Sequence, residues 1–254
     1  MKDSIRSLAP TSSDTHCPLH LYIFQCIPRQ PNNMATTLQP IQVWGQGGPN
    51  PPKVAMLLNE LGLEFTYQPI GFADVKKPAY LAINPNGRLP AIHDPNTSLT
   101  IWESGAILEY LVEQYDTGNK FSFGQGTPEY YQAKQWLFFQ VSGQGPYYGQ
   151  FYWFKKLHPE PVESAQTRYL NEIKRVTGVV EGHLEKQEKG ADGPWLVGGK
   201  YSYVDLAWLM WQKVVAGVAS AEELDMGAFP HVQEWLEKIA AREGVKKVLE
   251  GLPH

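Results

Sequence analysis

Apolar and polar positions fall into periodic order only from about residue 41. Ile41-Gln42-Val43-Trp44 alternates as a strand does. Residues 45–50 (GQGGPN) break the alternation. An apolar helical run follows from Pro51 to Gly62, with Asn50 as its N-cap, prolines in its first turn and a glycine at its end. Residues 64–68 return to strand spacing, so a βαβ unit is predicted. Residues 78–82 read as a short helical turn. Leu89-Pro90-Ala91-Ile92 and Leu99-Thr100-Ile101-Trp102 have strand composition, and Asp94-Pro95-Asn96 turns the chain between them. Ser104 then reads as the N-cap of a helix carrying Ile107, Leu108 and Leu111.

A βαβ unit followed by ββα is the thioredoxin-like order. From Pro128 onward the spacing becomes helical. Tyr169, Ile173, Val176, Val180 and Leu184 form one stripe, and Val232, Trp235, Leu236 and Ile239 another. Ser202-Tyr203-Val204-Asp205 reads as a capping box with Asp in its third helical position. The predicted architecture is an α/β thioredoxin-like domain over residues 41–116, a linker over 117–127 and an all-helical domain over 128–254. Residues 1–40 lack sustained periodicity and hold Pro10, Pro18, Pro28, Pro31 and Pro40; they are expected to be disordered. Their apolar run, 19–27, is too brief for a signal-peptide core. Met34 reads as a natural start.

Composition narrows the classes. A chain of 254 residues, 43% apolar and with net charge -4, can bury real cores. Mild acidity argues against a nucleic-acid surface, and the lack of an 18-residue apolar run against a membrane span. The eight Trp and thirteen Tyr suit a core or an apolar pocket. Both cysteines, Cys17 and Cys26, precede Met34, so the folded body has no disulfide, Cys-zinc site or cysteine nucleophile; a reducing, cytoplasmic setting is expected. Gly45 and Gly47 follow a strand, as in a dinucleotide fingerprint, but Asn50 stands where its third glycine belongs.

Two local features point to a ligand. Pro90 withholds a donor early in a strand, which leaves backbone groups for something else, such as an extended peptide. Ser104 at a helix start offers a hydroxyl, free N–H groups and the positive end of the helix dipole to a carboxylate, and Glu103 could take an ammonium. A ligand with a free α-amino and α-carboxyl group fits both.

Residues 84–92 (NPNGRLPAI) and 102–111 (WESGAILEYL) resemble the first domain of the glutathione transferases, in particular the fungal Ure2p-like class. Residues 135–146 (QWLFFQVSGQGP) and 195–205 are similar to its second domain, so the resemblance spans about residues 41–250. It implies glutathione as co-substrate with no further cofactor or metal, and a homodimer that conjugates small apolar electrophiles or reduces peroxides. Glutathione would meet Asn50, Arg88, Leu89, Pro90, Glu103 and Ser104. Pro90 would be cis, with the backbone of Leu89 pairing to the cysteinyl part and Glu103-Ser104 holding the γ-glutamyl end. Asn50, in the pattern P-N-x-x-K-V, would donate its amide N–H to the thiolate, or merely cap the helix. Phe139, Tyr148 and Tyr152 are the candidates for an electrophile pocket, and Gly143, Gly145 and Gly149 for opening space beside it. Val75 stands where relatives often carry His. Two other classes stay open: a regulatory glutathione-binding protein of the Ure2p type, as in nitrogen regulation, and an apolar ligand carrier.

Overall fold

A computed structural model describes residues 38–188 and 193–252. The predicted disordered extension, up to residue 37, lies outside the described residues, as do both cysteines. Strand β1 (Ile41–Trp44) buries Ile41 and Val43 and turns Gln42 and Trp44 to partly open positions, as alternation requires. Helix α1 (Pro51–Glu60) crosses over to β2 (Phe65–Gln68), which pairs parallel with β1. Gly62, at φ +68, ends the crossover helix in a conformation that costs a side-chain-bearing residue more. After α2 (Pro78–Leu81), β3 (Ala91–Asp94) and β4 (Leu99–Trp102) complete a mixed sheet in the order β2-β1-β3-β4. This is the thioredoxin-like arrangement expected.

Pro90 lies just outside β3, so it removes no bond from the ladder. The Leu89–Pro90 peptide is cis. The β3–β4 hairpin is tied to the next helix by buried Asp94, which accepts from Tyr110 at 2.5 Å, from Tyr115, and from the Asn96 N–H at 2.8 Å. Burial raises the Asp94 pKa, but these hydrogen bonds outweigh it and hold the carboxyl below its ordinary value. Helix α3 (Ser104–Tyr115) is therefore fixed against the sheet, and it carries Ile107, Leu108 and Leu111 into the core.

The remainder is helical. Thr127 caps α4 (Pro128–Phe139), its hydroxyl accepting from the Tyr130 N–H at 3.2 Å. The helix continues through a π-helical segment (Gln140–Gln144) into α5 (Gly145–Tyr152), and through a second (Trp153–Leu157) to its end. Helices α6 (Glu163–Leu184), α7 (Tyr203–Ala216), α8 (Pro230–Ala240) and α9 (Glu243–Glu250) follow. The predicted stripes are the buried faces: Ile173, Val176, Val180 and Leu184 on α6, and Val232, Trp235 and Ile239 on α8. Helix α7 is buried on nearly every side and is the axis of this half. Its fully buried Trp208 and the Trp235 of α8 would each cost about 3–5 kcal/mol if truncated.

Helix α1 belongs to both halves. Its side chains from Pro51 to Leu58 are buried. At its far end the Asn59 amide donates to the Gly244 carbonyl at 3.2 Å, and Arg242 grips Glu60 at 2.7 and 3.2 Å while lying 3.8 Å over the Tyr201 ring. Among the described residues no helix is long and apolar enough to cross a membrane.

Candidate functional site

Three segments of the α/β half converge beside the start of α5. The first is the loop into α1. Pro51 and Pro52 bring no N–H to the first turn, so the first backbone donor there is Lys53, which reaches the Asn50 carbonyl at 3.2 Å. Asn50 occupies the N-cap position, but its side chain caps nothing. Its Oδ1 instead accepts from Trp211 Nε1 of α7 at 3.1 Å. Simple capping is thus excluded for that side chain.

The second segment is the turn before β3. Asn84 is buried; its Oδ1 accepts from the Asn86 N–H at 2.9 Å, and its Nδ2 donates to the Arg88 carbonyl at 2.7 Å. Tyr80 donates to the same carbonyl at 2.8 Å. Gly87, at φ +60, admits this path; a Cβ there would meet the Val75 carbonyl at 2.7 Å. The backbone of Arg88 is thereby held while its side chain stays exposed.

The third segment is the start of α3. The helix begins at Ser104, so Glu103 and not Ser104 is the N-cap residue, a correction of one position. Glu103 holds φ +74, a strained conformation for a residue with a Cβ, and strain of this kind gathers at functional sites. The turn offers the α3 N-terminus and the buried Ser104 side by side, with the exposed Glu103 carboxylate 3.4 Å from Asn86 Nδ2.

Asn50, Arg88, Glu103 and Ser104 line one cavity of about 500 Å3. Lys53, Gln140, Val141, Pro146, Trp153 and Trp211 complete much of its wall. A hollow of about 660 Å3 beside β2 and α9 contains none of the predicted site residues. Lys53 is the unexpected member. It is 1% exposed, and burial pushes its pKa down to about 7 against a partial restoring effect of Glu103. Its Nζ donates to Gln140 Oε1 at 3.1 Å, Gln140 Nε2 to Gln144 Oε1 at 2.8 Å, and Gln144 Nε2 to the Trp208 carbonyl at 3.0 Å. The π-helical segment carries both glutamines, and the extra residue per turn is what aims them inward.

Two family models match the chain: Glutathione S-transferase, N-terminal domain, over residues 48–114, and Glutathione S-transferase, C-terminal domain, over residues 147–251. The glutathione S-transferase-like protein gedE of Aspergillus terreus is 60% identical over 218 residues, covering 85% of this chain and 96% of its own length. The chain belongs to the glutathione S-transferase family. Among solved structures it resembles the glutathione transferase URE2P6 from Phanerochaete chrysosporium in complex with oxidized glutathione, with a TM-score of 0.78 and 44% identity over 86% of this chain and 98% of that one. The transcriptional regulator URE2 of Saccharomyces cerevisiae is 34% identical over 237 residues, covering 81% of this chain and 66% of its own.

Within this glutathione S-transferase fold, several predicted positions fall elsewhere. Tyr148 is fully buried, sharing a 2.8 Å hydrogen bond with Thr177 and accepting from Gln212 at 3.1 Å, so it is core and not pocket wall. Phe139 packs on Trp208 at 5.4 Å between ring centroids, and neither it nor Tyr152 lines the cavity. Of the glycines predicted to open space, Gly143 packs against Phe139 and does not line the cavity, whereas Gly145 and Gly149 do line it, beside Trp211. Leu89 and Pro90 flank the cavity without lining it. Lys76 donates to the Asn86 carbonyl at 2.8 Å and Lys77 pairs with Asp74 at 2.5 Å, so neither stands in for the His that Val75 replaces. Lys53 had a signal, as the lysine of P-N-x-x-K-V. Trp211 had none, being one of several aromatics in an apolar helix.

Proposed function

We propose that this family member is a cytoplasmic, homodimeric glutathione transferase in which Asn50 stabilises the glutathione thiolate. The observation that carries this reading is the meeting of Asn50, Arg88, Glu103 and Ser104 around one cavity. Ser104 and the α3 N-terminus suit the γ-glutamyl carboxylate, and Glu103 its ammonium. The backbone of Leu89, before cis Pro90, suits the cysteinyl amide. Arg88 suits a second carboxylate. The helical half, from residue 128, supplies Val141, Pro146, Trp153 and Trp211 as the apolar wall for the electrophile.

A free thiol has a pKa of about 8.5, so a neutral-pH transferase must favour the anion. A carboxamide is no base; the thiol proton leaves to water, and the amide N–H stabilises the charge that remains. The sulfur then bonds to the electrophilic carbon while the leaving group departs with its electron pair. With a hydroperoxide, sulfur attacks oxygen, the O–O bond breaks to give an alcohol, and a second glutathione releases water and forms the disulfide.

The test is glutathione-dependent turnover on an aryl halide, an isothiocyanate and an organic hydroperoxide. Activity on any of the three supports the reading; glutathione binding without turnover on all three rejects it. The 34% identity to a transcriptional regulator favours a second reading, a regulatory glutathione-binding protein. Specific capture of one partner by a chain without turnover would select it.

A further inference from the structure

A carboxamide has two chemically opposite ends, an oxygen that only accepts and a nitrogen that only donates. If Asn50 turned its oxygen to a sulfur, it would favour the neutral thiol; if it turned its nitrogen, it would favour the thiolate. Nothing in the loop 45–50 or in α1 chooses between them, because the side chain makes no cap bond there. The choice is made from the other half of the molecule. An indole N–H can only donate, so Trp211 Nε1, 3.1 Å away, engages the oxygen end. Among the described residues nothing takes the hydrogens of Asn50 Nδ2, and Asn50 and Trp211 both line the cavity.

The seat of the indole is built as well. Gly145 and Gly149 lie one turn apart on α5, on the same face. A Cβ on Gly149 would come 3.1 Å from Trp211 Cη2, and one on Gly145 would come 3.5 Å from Nε1. A side chain at Gly149 would crowd the ring that reaches Asn50, and one at Gly145 would touch its N–H edge.

We propose that Trp211 is a positioning residue: its N–H locks the Asn50 carboxamide with the amino group facing the sulfur of bound glutathione. This rests on the reading of Asn50 as the thiolate donor. It adds that the donor works only in an orientation imposed by α7.

The experiment titrates the thiol of bound glutathione by its thiolate absorbance in wild type, Asn50→Ala, Trp211→Phe and the double variant. Phenylalanine keeps an aromatic ring and removes the N–H along with the five-membered ring that carries it. Asn50→Ala is expected to raise the thiol pKa. Trp211→Phe should raise it by about 0.7, a roughly fivefold loss of thiolate below the pKa, with glutathione affinity within about twofold of wild type. The double variant should titrate like Asn50→Ala alone, since the two residues act through one contact. Gly149→Ala, which crowds the indole, should move the pKa in the same direction and covers the case in which Trp211→Phe does not fold. If Asn50→Ala raises the pKa while Trp211→Phe and Gly149→Ala leave it unchanged, the positioning role is overturned and Asn50 stands. Additive effects in the double variant overturn it too. If Asn50→Ala leaves the pKa unchanged, the donor reading itself falls, and the positioning role with it.

Discussion

Two helix starts in this molecule solve the same problem in opposite ways. At α7, every polar group is turned inward. The Ser202 N–H and Oγ donate to Asp205 Oδ2 at 2.9 and 2.8 Å, and the Leu196 N–H and Trp235 Nε1 donate to Oδ1, both at 2.9 Å. Both Ser202 and Asp205 are fully buried. Burial pushes the Asp205 carboxyl up to about 6, with the four hydrogen bonds opposing. At α1, two prolines withhold N–H groups, the N-cap side chain leaves the helix uncapped, and its amino group stays unclaimed beside a cavity. A start that consumes its own polar groups builds stability. A start that leaves one over, next to empty space, has something to offer a ligand.

The sharpest way to break this contrast is to truncate both residues. Asp205→Ala strands the Leu196 N–H and the Trp235 indole N–H in the core and should cost about 3–5 kcal/mol in urea unfolding. Asn50→Ala should cost less than about 1 kcal/mol in the same assay, yet lower glutathione-dependent turnover about 10- to 100-fold, with glutathione affinity little changed. Equal losses of stability in the two variants would erase the distinction.

Lys53 refines it. The folded chain titrates this lysine near 7 and the unfolded chain near its ordinary 10.5. Between pH 7 and about 10 the unfolded state therefore holds the extra proton, and stability rises with pH. The cost of the buried ammonium is fully present below pH 7. Lys53→Met removes this dependence, so wild type should gain on the variant with a slope that approaches about 1.4 kcal/mol per pH unit in the middle of that window and is about half as steep at pH 7. Urea midpoints at pH 7, 8 and 9 measure it, and a constant difference would refute it. The smallest effect belongs to the rim: exposed Arg88→Ala should weaken glutathione binding only about 3-fold, and less at high salt, by calorimetry.

What could be read from the chain divides along similar lines. The succession of strands and helices in the α/β half, the buried faces of α6 and α8 and the Ser202–Asp205 cap follow from local spacing and were legible. Asn50 and Arg88 became candidates only through the family resemblance, whereas Glu103 and Ser104 were also legible, because a helix start marks them. The wall from the helical half was not. Tyr148 and Trp211 look alike as aromatics in apolar helices; which one is core and which meets the cavity depends on how α5, α6 and α7 pack. The π-helical segment at Gln140–Gln144 has no sequence signature, yet it decides where Gln140 faces.

The grip of the helical half on both ends of α1 limits modularity. Trp211 holds Asn50 at one end, and Arg242 with Gly244 holds Glu60 and Asn59 at the other. A chimera that joined this α/β half to the helices of a relative would cut through those links, not between two independent parts. Exchange of halves by recombination would conserve function only where donor and recipient carry matching residues at these contacts, so α1 is inherited with the helices as much as with its own sheet.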